Sequence, residues 1–148
     1  MIYEKIREDI KSSMKYNTKF VTNTLRLLDS DIQRKALDLN KEITDDLVLD
    51  VIAKGIKQRT ESIEMFNKGN RIELAKKEMI EQDIFKKYQP EQLSNEELTN
   101  IINQQIEISN AKTIKDMGRL MGFLMPLLKG KADSKTISEI VRSKLNMI

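Results

Sequence analysis

Apolar residues recur every three or four positions along almost the whole chain, and the runs are separated by capping residues, glycine or proline. That spacing lines one face of a helix and cannot line one face of a strand, where side chains alternate. Composition agrees: aromatics are only 5% of the residues, with 5 Gly and 2 Pro, whereas strands draw on β-branched and aromatic residues and tight turns on Gly and Pro. The chain is expected to be all-α.

The stripes predict where the helices run. Tyr3, Ile6, Ile10 and Met14 share one face of a helix from Ile2 to Met14, followed by a polar break at Tyr16-Asn17-Thr18. Val21, Leu25, Leu28, Ile32 and Leu39 mark a second helix from Thr18 to about Leu39. Thr44 suits an N-cap, with Asp45 and Asp46 in the first turn where the helix dipole favours acids. The third helix then carries Val48, Ile52, Ile56, Ile63 and Phe66 and stops at Gly69. A fourth, from about Arg71 to Tyr88, carries Ala75, Met79, Ile84 and Phe85 less regularly. Pro90 ends it, because the residue before a proline is biased away from helix.

Ser94-Asn95-Glu96-Glu97 has the form of a capping box and opens a fifth helix with Leu98, Ile101, Ile102 and Ile106 inward. The expected organisation is a bundle of about four helices over residues 1–91 and a smaller three-helix domain over residues 92–148. Near 55 residues, the second domain is marginal for independent stability.

Thr113 and Asp116 stand in an N-cap relationship at the start of the sixth helix, where Met117, Met121, Leu124 and Leu128 keep one face. Pro126 removes an N–H bond and crowds the preceding turn, so this helix bends or its last turn is irregular. Gly130 suits the left-handed residue that ends a helix, and Asp133 can cap the seventh, with Ile137, Ile140, Val141 and Leu145 buried. Met117, Met121 and Met125 beside Gly118 and Gly122 allow two readings. One is a pliable docking surface, and the other is ordinary packing of the sixth helix on its neighbours.

Charge is uneven. From Ala111 to Ile148 there are eight Lys or Arg against three Asp or Glu, whereas Glu91 to Asn110 holds four Glu and no base, within a net charge of +3. A basic surface of this kind binds phosphate by releasing counterions, although solvated helix faces explain the same composition. Lys129, Lys131 and Lys135 bracket the start of the seventh helix, whose unpaired N–H groups favour an anion. Asp133 can occupy that position instead.

The pattern Lys115-Asp116-Met117-Gly118-x-x-Met121-Gly122, followed by Gly130-Lys131-Ala132-Asp133-Ser134-Lys135, resembles the C-terminal signature of the GatB/YqeY family. Arg26-Leu27-Leu28, Lys57-Gln58-Arg59-x-x-Ser62-Ile63 and Tyr88-Gln89-Pro90-Glu91-Gln92-Leu93 extend the likeness along the chain. The family includes small stand-alone helical proteins and the tail of the B subunit of glutamine-dependent aspartyl/glutamyl-tRNA amidotransferase. It usually has glycine where this chain has Ser134. The resemblance implies an accessory module that helps hold tRNA or other structured RNA, with Lys115, Arg119, Lys129, Lys131 and Lys135 as the nucleic-acid contacts. Gly118, Met121, Gly130 and Asp133 are then the structural signature. The activity associated with the family is carbon–nitrogen ligation with glutamine as amido donor.

No residue set for catalysis stands out. With no His and no Cys, the commonest base, nucleophile and zinc ligands are missing. We therefore expect no cofactor, no metal and no catalysis by the chain alone. Two alternatives stay open: a helical protein-interaction module docking on a translation-related partner, and a tRNA amino acid amidase. No apolar run approaches the roughly 20 residues of a membrane span, and the absence of Cys suits a reducing compartment, so the expected setting is cytoplasmic, without membrane contact.

Overall fold

The computed structural model describes residues 1–16 and 18–146. Asn17, in the polar break after the first helix, lies outside the described residues. Among these residues there are seven α-helices, one 3-10 turn and no strand. The chain divides into two compact units, Met1–Gln89 and Pro90–Ile148.

The first unit holds α1 (Ile2–Lys15), α2 (Lys19–Leu39), α3 (Asp45–Lys68) and α4 (Ile72–Lys86). Its core gathers Ile6 from α1, Leu28, Ile32 and Ala36 from α2, Val48 and Ile52 from α3, and Phe85 from α4. The stripe of α2 finishes on Ala36, and Leu39 is turned to solvent. The three-four spacing carries the face from Leu28 through Ile32 to Ala36, so a small residue occupies the last inward position. Met79 of α4 is likewise exposed, leaving Ala75, Ile84 and Phe85 to bury that helix.

The helix ends follow elementary capping chemistry. Thr44 Oγ1 accepts the N–H of Leu47 at 3.2 Å. Asn40 and Asn110 take left-handed backbone at the ends of α2 and α5 (Asn95–Ser109), a conformation asparagine tolerates better than most side chains. The stop after α3 falls at Gly69 as expected; Gly69 has φ −83°, and the left-handed residue is the next one, Asn70, at φ 57°.

Polar side chains tie α3 to α4. Gln82 donates to the Ile56 carbonyl at 2.9 Å and to Thr60 Oγ1 at 2.7 Å. Arg59 is buried, donates to the Gly55 carbonyl at 3.2 Å, and lays its guanidinium 4.0 Å from the centre of the Phe85 ring. Its Nε lies 3.4 Å from Glu81 Oε2, an ion-pair distance without hydrogen-bond geometry. An arginine can be buried only when its charge is answered in this way.

The second unit holds α5, a 3-10 turn (Ile114–Asp116), α6 (Met117–Leu127) and α7 (Ser134–Asn146). Ser94 Oγ accepts the N–H of Glu97 at 3.1 Å and starts α5. Leu98 and Ile102 of α5, Leu120, Leu124 and Leu128 at and beyond α6, and Ile137, Val141 and Leu145 of α7 form one core. Pro126 lies inside the last turn of α6, which runs only one residue further. Because the proline comes so late, the helix loses one bond and then ends.

Candidate nucleic-acid interface

The basic turn between α6 and α7 is built by local backbone chemistry and then pinned from a distance. Leu128 N–H still bonds to Leu124 at 2.9 Å, and Gly130 at φ 73° reverses the chain. Lys131 N–H returns to the Leu128 carbonyl at 2.9 Å. Asp133 then presents its carbonyl to Ile137 N–H at 3.0 Å, which makes it the residue from which α7 starts. Its carboxylate lies 3.5 Å from the Thr136 hydroxyl.

Two segments flanking Pro90 and Gly130 meet here. Gln92 Nε2 donates to the Gly130 carbonyl at 2.6 Å, and Leu93 N–H donates to the Lys131 carbonyl at 3.0 Å. The pairing spans 38 residues of sequence, and sequence reasoning did not anticipate it. It holds the turn in one shape, with the Lys131 and Lys135 side chains exposed and Lys129 half-buried.

Lys115 and Arg119 lie elsewhere. Lys115 is exposed in the 3-10 turn and Arg119 is exposed in the first turn of α6. The 11 residues of α6 span about 16 Å at 1.5 Å per residue. The five basic residues therefore form two groups, one at each end of α6. At the first end, Asp116 Oδ2 accepts the N–H groups of Lys112 at 2.8 Å and Thr113 at 3.2 Å, and Asp116 Oδ1 lies 3.4 Å from the Arg119 guanidinium. The two backbone N–H bonds, led by that from Lys112, hold the Asp116 carboxyl below its ordinary value, and the Arg119 charge adds to the effect.

The methionines answer the question left by the sequence. Met117, Met121 and Met125 are partly buried against the core of the second unit, so they serve packing. The deepest line of α6 is Leu120, Leu124 and Leu128. Leu120 was missed because α6 is apolar nearly all round, and periodicity alone cannot then choose its inner face. Gly118 and Gly122 are exposed, and a Cβ on either would meet nothing within 4 Å. Among the described residues of the second unit, neither glycine serves a close helix approach.

Among the described residues no cluster of three or more acidic, His or Cys side chains is placed to hold a metal ion, and no helix is long and apolar enough to cross a membrane. The first unit carries an open cleft of about 410 Å³. Both signs of charge line it, from Asp31, Arg34, Asp50 and Lys54 among others.

These features define a small all-helical protein of two compact units, the second presenting cations at both ends of one short helix. The chain belongs to the Yqey-like protein family, whose model matches residues 3–145. It is 27% identical to Altered inheritance of mitochondria protein 41, mitochondrial, of Pyrenophora tritici-repentis, over 97% of this chain and 83% of that protein. An uncharacterized protein of Schizosaccharomyces pombe is 40% identical over 61% of this chain and 73% of its own length. The E subunit of the glutamyl-tRNA(Gln) amidotransferase of Thermococcus gammatolerans is 44% identical over 57 residues, which cover 36% of this chain and 9% of that much longer protein. The cytoplasmic setting expected from the sequence is overturned by the first of these relatives, which is named a mitochondrial protein. Lack of Cys and of a long apolar run fits either compartment, so those features never discriminated between them.

Proposed function

We propose that the protein is an accessory module that holds tRNA or a similarly structured RNA through the second unit and carries no catalytic step of its own. The observation that carries this reading is the pinned basic turn, in which Gln92 and Leu93 fix the backbone at Gly130 and Lys131 while Lys131 and Lys135 stay exposed at the start of a 13-residue helix. A turn whose backbone is already held in one shape leaves only its lysine side chains to be ordered at binding, and the α7 N–H groups reinforce them. The likeness to part of a tRNA amidotransferase supports RNA as the polyanion. In this reading the second unit is the tail-like part of a four-plus-three helix arrangement. In this reading the carbon–nitrogen ligase chemistry associated with the family is supplied by other proteins; His and Cys, the commonest base and nucleophile, are missing from this chain.

Binding of an unmodified tRNA to the full chain, followed by fluorescence anisotropy from low to physiological salt, tests the reading. Changing Lys129, Lys131 and Lys135 to Ala should weaken binding and flatten log affinity against log salt by roughly 0.7 to 0.9 per lost contact. Changing Lys5, Lys11 and Lys15 to Ala removes the same charge from exposed positions of α1 and should do much less. Failure of tRNA to bind at low salt, or equal losses in the two triple variants, would overturn the assignment.

A further inference from the structure

The outward side of α6 is unlike the rest of the second unit's surface. Its exposed residues are Gly118, Arg119, Gly122, Phe123, Pro126 and Leu127, and only Arg119 is polar. Phe123 is 54% and Leu127 48% exposed. On α7, by contrast, every exposed position is polar, from Ser134 and Lys135 to Arg142 and Asn146. Exposed apolar side chains gathered on one face, rather than scattered, mark a contact surface.

We propose that this outward face of α6 docks an acidic amphipathic helix of a partner protein. Three features select that occupant. Gly118 and Gly122 stand four residues apart with open space where a Cβ would go, so a second helix can approach the backbone closely between them. Phe123 and Leu127 flank that flat strip one turn apart and supply the apolar area. The rim is basic, with Lys112, Lys115 and Arg119 at one end and Lys131 at the other. Asp116, the nearby carboxylate on α6's approach, is already committed to the Lys112 and Thr113 N–H groups and to Arg119.

Other occupants fit less well. A nucleic-acid strand carries a phosphate about every 3.4 Å. Crossing a face about 16 Å long, it would bring about five phosphates to a surface that offers no cation between Arg119 at its start and Lys131 beyond its end. A second copy of this chain would set basic rim against basic rim. The face also spans little more than one helix width, far below the roughly 800 Å² per partner of a stable dimer. It matches a single three-turn helix held weakly. This inference rests on the glycines and apolar side chains of α6, which the RNA reading does not use, while the rim cations Lys115, Arg119 and Lys131 are shared by the two.

The test uses the full chain, labelled for NMR, and two synthetic helical peptides. Both carry Leu at i, i+4 and i+7, one with Glu flanks and the other with Lys flanks. The acidic peptide should bind at least tenfold more tightly, with shifts centred on residues 118 to 127. Gly122→Gln and Phe123→Ala should each weaken it at least tenfold without lowering the unfolding temperature. Changing Lys129 and Lys135, two cations of the basic turn outside this rim, to Ala should leave peptide binding within about twofold of the parent, so failure of RNA binding would leave this result intact. The proposal is overturned if the two peptides bind alike, or if Gly122→Gln and Phe123→Ala bind as the parent does. Concentration-dependent self-association that Phe123→Ala abolishes would assign the face to a second copy. Displacement of the acidic peptide by an RNA hairpin whose own binding needs Phe123 would assign it to RNA.

Discussion

A Cβ placed on Gly55 would lie 2.4 Å from Cε2 and 2.8 Å from Cδ2 of Phe85. The ring is fully buried, with the Arg59 guanidinium 4.0 Å from its centre, so it has no room to retreat. The glycine in mid-α3 is what lets α4 lie this close. In an exposed helix, Gly→Ala gains up to about 1 kcal/mol. Here overpacking of about 1–3 kcal/mol opposes that gain, and we expect Gly55→Ala to lower stability by urea unfolding. Pairing it with Phe85→Leu should cost less than the two changes summed, because the smaller side chain relieves the clash.

Three other glycines should respond differently. Gly118 and Gly122 are helical and open, so alanine at either should raise stability by about 0.5–1 kcal/mol. Gly130 has φ 73°, and Gly130→Ala should cost about 1–2 kcal/mol because the left-handed region crowds a Cβ. Chemical denaturation of the three single variants decides this, and a uniform sign across them would contradict it.

Tyr88 donates its hydroxyl to Asp9 Oδ2 at 2.6 Å, linking the end of α4 to α1. Burial first, then the hydrogen bond and charge of Asp9, push the Tyr88 pKa above its ordinary 10.0. A raised folded-state pKa means that the contribution to stability is fully present below pH 10 and is lost as pH rises through the folded value. Tyr88→Phe should therefore cost about 1 kcal/mol at pH 7, where Asp9 keeps its Lys5 partner at 3.0 Å. The gap between parent and variant in urea midpoint should narrow only well above pH 10.

Local signals in the sequence were read well because local chemistry decides them. Thr44 and Ser94 cap where their spacing placed them, the chain breaks around Pro90, and Gly130 is left-handed. What escaped depends on neighbours. Ala36 and Leu39 both prolong the apolar stripe of α2, and only packing shows that Ala36 is the buried one. In the candidate site, the cations of the α6–α7 turn were legible from Gly130 and Asp133. The Gln92 bond that holds the turn was not, because nothing local relates residues 38 apart. The outward face of α6 was hidden for the opposite reason: apolar residues on every side leave no contrast to read.

The two basic groups at the ends of α6 make a final prediction about the reach of the RNA contact. Lys115 and Arg119 lie at the start of the helix, and Lys129, Lys131 and Lys135 lie beyond its end or at the start of α7. About 16 Å of helix separates the groups, which exceeds the roughly 8 Å Debye length at physiological salt. Each group should therefore act on its own set of phosphates. Arg119→Ala also removes an exposed pairing with Asp116, worth little to stability. Changing Lys115 and Arg119 to Ala should flatten the salt slope of tRNA binding by roughly 1.4 to 1.8, and the three-lysine change by roughly 2 to 2.7. The five-fold variant should show the two losses added within about 0.5 kcal/mol. A full effect from the lysine triple with no change in slope from the Lys115 and Arg119 pair would confine the interface to the turn held by Gln92.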